Sequence, residues 1–78
     1  MAKPSKKYSG HPNLILIGKA IRAYRKQMGI SQEQLAVDAD IDRSYLGGIE
    51  RGEHNFAIIT LIKISIALNI KRKSLIEF

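Results

Sequence analysis

The residues able to do chemistry are few. The two histidines, His11 and His54, stand far apart, and the chain has no cysteine. That leaves no thiolate, no His–nucleophile pair and no metal-ligand spacing. The carboxylates are not spaced as an acid–base pair, and no Gly-rich phosphate loop occurs. An enzyme is therefore not expected, nor a metal or cofactor. The remaining chemistry is recognition by charge and hydrogen bonding. Thirteen Lys and Arg stand against seven Asp and Glu, a net charge of +6. Such a balance points to nucleic acid or another anionic partner.

The charge is unevenly distributed. Lys3, Lys6 and Lys7 lead the chain, and Lys19, Arg22, Arg25 and Lys26 follow. Between residues 31 and 55 the sign reverses: Arg43 and Arg51 are outnumbered by Glu33, Asp38, Asp40, Asp42, Glu50 and Glu53. Lys63, Lys71, Arg72 and Lys73 restore the positive sign. Long-range attraction to an anion therefore comes from the flanks of the middle segment.

That middle segment, Gln32 to Arg51, organises the rest. Leu35, Ala36 and Ala39 form one helical stripe, and Leu46 and Ile49 another. Asp40 interrupts them, and Asp42 is a good N-cap for the second helix. Helices joined by so tight a turn cross steeply and need a small side chain where they touch, which Ala36 supplies. This pattern predicts a helix-turn-helix, with the second helix, from Arg43 to about Arg51, directed to the major groove of DNA.

The flanking elements follow from local signals. Residues 1–12 lack periodicity and read as a flexible basic arm, either contacting DNA or serving as a solubilising tail; the tail is favoured. The domain is expected over residues 13–78. The spacing predicts helix 1 from an Asn13 N-cap to Gly29, burying Ile17, Ile21, Tyr24 and Met28. Arg25 flanks that stripe and needs an anionic partner. Ser31 and Gln34 make a capping box for helix 2. Gly52 closes helix 3. Gly47 and Gly48 lie inside it, which fits either a close backbone approach to a ligand or exposed positions under little constraint. Helix 4 is expected over 57–68 with Asn69 as its left-handed stop, and a last helix over 72–77, where Leu75, Ile76 and Phe78 pack back. His11 and His54 read as surface residues. Leu14–Ile17 is too short for a signal-peptide core, and the apolar run 57–70 is too short to span a bilayer and carries Lys63. No membrane partner and a cytoplasmic location are expected.

Helix 4 is apolar on two sides. Ile58, Leu61, Ile64, Ser65 and Leu68 cluster on one face. Ile59, Ile62, Ile66 and Ile70 form a second stripe about 140° away. A domain this small covers one face fully, so the second predicts an isologous homodimer, unless helix 5 or the arm folds over it.

Residues 17–70 resemble the phage-repressor (Cro or XRE-like) helix-turn-helix family. The resemblance rests on Ile17-Gly18, Ile21-Arg22, Arg25, Gly29-Ile30-Ser31-Gln32, Leu35-Ala36 and Ile49-Glu50-Arg51-Gly52. The run from Asp42 to Gly52 is similar to restriction–modification controller proteins, small dimeric regulators that time expression of a restriction endonuclease. The resemblance implies an all-α, five-helix domain that binds double-stranded DNA at a pseudo-palindromic operator. It assigns Arg43, Ser44 and Tyr45 to base reading and Gln32, Arg51 and Asn55 to phosphate. It makes Arg25 and Glu50 a structural pair bridging helices 1 and 3. RNA polymerase is an implied further partner. The chain departs from the pattern at Asp40, where Gly is usual in the turn. It departs again at Gly47 and Gly48, which remove side chains that often touch DNA, and at Ile59 and Ile66, where polar residues are usual. A rival reading on the same fold is an antitoxin-type or phage or plasmid repressor acting partly through a protein partner.

Overall fold

The computed structural model describes residues 7–77. Among them, five helices and no strand occur: α1 (Pro12–Gln27), α2 (Gln32–Ala39), α3 (Arg43–Glu50), α4 (Ile58–Ala67) and α5 (Lys73–Ile76). The all-α, five-helix architecture is the one expected. No described helix is long and apolar enough to cross a membrane.

Local chemistry sets the boundaries. α1 begins two residues earlier than the sequence pattern indicates. His11, not Asn13, is its N-cap: His11 Nδ1 accepts from the Asn13 backbone N–H at 3.1 Å, and Pro12 takes the first helical position. At α2 the Ser31 Oγ accepts from the Gln34 N–H at 3.0 Å. The return half of the capping box is absent, because Gln34 Nε2 donates down the helix to Asp38 at 2.8 Å. α2 and α4 stop at non-glycine residues in the left-handed region, Asp40 (φ 55°) and Asn69 (φ 56°). In both stops the following N–H closes back on the helix, Ile41 to the Ala36 carbonyl and Ile70 to the Ser65 carbonyl, each at 3.0 Å.

Ile21, Leu35, Leu46, Ile49, Ile64 and Leu75 are fully buried, one or two from every helix. Burying each contributes about 1.5–3 kcal/mol of transfer free energy. α1 packs on α3 and α5, and α2 packs on α3 and α4. α1 comes close to α3 at Gly18, where a Cβ would stand 2.5 Å from the carbonyl oxygens of Ile49 and Glu50.

Three burial expectations are corrected. Met28 is 46% exposed, because α1 ends at Gln27 and the chain turns away at Gly29. Ile58 is 64% exposed, because it is the first residue of α4 and lies beyond the end of the core. Ile76 is exposed on its single turn of helix, while Leu75 beside it is buried. The expected packing of Phe78 lies outside the described residues, as do Lys3 and Lys6 of the expected arm. The inner end of that arm is a turn held to the domain: His11 N–H donates to Tyr8, and Gly10 N–H to the Gly52 carbonyl, both at 2.8 Å.

Candidate nucleic-acid interface

The α2–turn–α3 unit positions a polar surface. Ala36 and Ala39 are buried where α2 meets its neighbours. Asp42 caps α3, its Oδ2 accepting from the Tyr45 N–H at 3.2 Å. Leu46 and Ile49 anchor the inner face of α3 in the core. The first turn is thereby left outward: Arg43 and Ser44 are exposed and Tyr45 is half-buried.

A chain of polar contacts runs from this turn into the protein. Arg43 Nη1 donates to Gln32 Oε1 at 3.4 Å, a long contact. Gln32 Nε2 donates to Glu50 Oε1 at 3.2 Å. Glu50 also receives Arg25 Nε at 2.9 Å and Arg25 Nη2 at 3.1 Å. Arg25 Nη1 reaches the Ile30 carbonyl at 3.1 Å, which ties in the α1–α2 loop. The Arg25 and Glu50 side chains are 12% and 3% exposed. The pair is thus bidentate and nearly dry, joining the end of α3 to α1. One amide proton of Gln32 is committed to Glu50, and the second remains for another acceptor.

Past the end of α3, Arg51 is exposed and held by Glu53 through two bonds, Nε to Oε2 at 2.7 Å and Nη2 to Oε1 at 3.1 Å. The Glu53 hydrogen bond raises the Arg51 pKa above its ordinary value, and the Arg51 hydrogen bond holds the Glu53 carboxyl below its own. Asn55 is exposed in the following loop.

Gly47 and Gly48 match neither sequence-based alternative. Both are buried by the protein itself. A Cβ on Gly47 would lie 3.1 Å from Arg51 Nη1 and 3.4 Å from Gln32 Oε1, so both polar side chains fold over a bare stretch of helix. A Cβ on Gly48 would overlap the His54 ring. His54 is therefore not a surface residue; it is 6% exposed and meets Tyr45 edge-to-face, with centroids 4.8 Å apart and planes at 60°. Sequence reasoning missed it. The available signal was the pair of helix-interior glycines, which cost about 0.5–1 kcal/mol each and so needed a structural cause.

On α4, Ile59 and Ile66 are 56% and 72% exposed. Ile62 and Ile70 are half-buried, and Ile70 packs against the core cluster.

The helix-turn-helix family model matches residues 21–75, from the middle of α1 into α5. The chain belongs to the Cro/XRE-type helix-turn-helix family. The family consists of DNA-binding transcription regulators, and this helix-turn-helix protein shares its architecture over the matched residues. It is 38% identical to the control protein C.BamHI of Bacillus amyloliquefaciens over 82% of its own length and 80% of the relative's. Its fold is similar to that of the restriction–modification controller protein C.AhdI of Aeromonas hydrophila. In that comparison the TM-score is 0.82 and the identity 38%, and 83% of this chain and 98% of the other are covered. It is also similar to the biofilm regulator SinR, solved in complex with DNA. There the TM-score is 0.75 and the identity 39%, and 78% of this chain and 98% of that one are covered.

Proposed function

We propose that this helix-turn-helix protein is a restriction–modification controller that acts as a homodimer. Two copies of α3 enter successive major grooves, about 34–36 Å apart, on a pseudo-palindromic operator. The observation that carries this reading is the exposed first turn of α3, with Arg43 braced through Gln32 and Glu50 to Arg25. Arg43 pairs bidentately with guanine O6 and N7, the commonest specific contact in the major groove. Ser44 and Tyr45 read neighbouring positions. Gln32 offers its free amide proton to a phosphate at the start of α2, where the helix N-terminus favours an anion. Arg51 and Asn55 contact the backbone beyond the end of α3.

The similarity to C.BamHI and C.AhdI supports the controller class. The exposed Ile59 and Ile66 on α4 support a two-fold interface, with Ile62 and Ile70 at its inner edge. Where the operator adjoins a promoter, RNA polymerase becomes a further partner.

Selection of bound sequences from random DNA, followed by footprinting, tests the reading. The expected product is a pair of inverted half-sites one helical turn apart. Recovery of no common sequence, or of a lone half-site, overturns it.

A further inference from the structure

We propose that His54 is a positioning residue for DNA recognition: it holds Tyr45 on the reading surface of α3 and acts through it. This rests on the reading of α3 as the recognition helix. Tyr45 follows Arg43 and Ser44 on the first turn of α3 and is only half-buried. One side of its side chain packs on the core cluster. The His54 ring meets the Tyr45 ring edge-to-face, at 4.8 Å and 60°, a favoured aromatic geometry. A tyrosine wedged between a packed core and a second ring loses the freedom to swing about its first torsion. That freedom would otherwise be lost at the moment of binding, at a cost in affinity and selectivity.

Gly48 makes the arrangement possible. His54 lies six residues along the chain, after α3 has ended and the backbone has turned at Gly52 (φ 77°). The returning loop lays the imidazole over Gly48, where a methyl group would overlap Cδ2 and Nε2 of the ring. No buried side-chain nitrogen or oxygen among the described residues lacks a partner, so the seat leaves no polar atom of the ring stranded. The glycine inside α3 is thus a recess for the imidazole, and the imidazole in turn sets Tyr45.

The test combines DNA selection with NMR on the full chain. Tyr45→Ala identifies the base pairs whose preference depends on Tyr45. At those pairs His54→Ala should lower discrimination about fivefold, the size expected when one base contact is loosened, while the Arg43-dependent pair keeps its preference. Gly48→Ala should reproduce the loss by evicting the ring. In Gly48→Ala/His54→Ala the methyl group should add nothing, since no ring remains to evict. In the free protein, the Tyr45 Hα–Hβ couplings should move toward rotamer-averaged values in both single variants, which loss of the His54 ring current alone does not cause. Circular dichroism melting confirms that each variant is folded. Unaltered Tyr45 Hα–Hβ couplings in folded His54→Ala overturn the proposal. So does an equal loss at every base pair, or additive effects of the two substitutions. A wild-type chain that selects no sequence fails the recognition reading itself and takes the DNA role of His54 with it. The Tyr45 couplings decide separately whether His54 holds the tyrosine.

Discussion

Glu53 grips the guanidinium of Arg51 with both carboxylate oxygens, at 2.7 and 3.1 Å. The pair is exposed, so it adds little to stability. Its consequence is for the proposed DNA contact, in which a phosphate must displace Glu53 before it can pair with Arg51. Glu53→Gln should therefore tighten binding to operator and random DNA alike. It should also steepen the dependence of log affinity on log salt by up to about one unit, as one more phosphate charge is neutralised. Fluorescence anisotropy at several salt concentrations measures both. Arg51→Ala should weaken all sequences equally.

The same pair has a pH signature. Arg51 holds the Glu53 carboxyl below its ordinary value. Folding therefore gains from the pair at pH above the unfolded carboxylate value and loses that gain as pH falls through the depressed one. A carboxyl NMR titration should place Glu53 below the ordinary glutamate range, and Arg51→Gln should return it upward. An unchanged midpoint in Arg51→Gln would refute the coupling.

Arg43 is exposed and braced only by the 3.4 Å contact to Gln32. Arg43→Ala should leave the fold intact and cost about 1–3 kcal/mol of operator binding, with relaxed preference at one base pair. Selection from random DNA checks this, and an unaltered preference would remove α3 as the reader.

The Arg25–Glu50 pair is nearly dry, so breaking it strands a charge. Arg25→Ala should destabilise the fold by about 3–5 kcal/mol, read from urea denaturation. A change below about 1 kcal/mol would mean that water reaches Glu50 freely.

Ile59 and Ile66 are more than half exposed on α4. Ile59→Asp with Ile66→Asp should cost the monomer little and abolish the dimer. Sedimentation velocity decides, and a persisting dimer would place the interface elsewhere.

Much of the fold was legible because its signals are local. Ser31 and Asp42 cap helices through bonds to backbone three residues away. Asp40 and Asn69 end helices because short polar side chains tolerate the left-handed region. The periodicity of Leu35, Ala36, Ala39, Leu46 and Ile49 names the faces that bury. The candidate site was legible in part. Arg25 advertised its need for an anion by lying beside an apolar stripe, and Arg43 advertised its place by following a cap.

Other features were not legible, because they depend on how distant segments meet. Met28 and Ile58 follow the apolar periodicity, yet helix ends overhang the core and leave them in solvent. Glu53 and His54 belong to a loop whose path is set by Gly52 and by the packing of α4, so neither the grip on Arg51 nor the seat over Gly48 has a signature in spacing. By itself, the sequence determined the helices, the caps of α2 and α3, the turn between them, and the family, since each rests on contacts within a few residues or on motif wording. The tertiary structure alone decided which polar side chains are left exposed and which are already engaged. That depends on distances of a few ångströms between groups that only packing brings together.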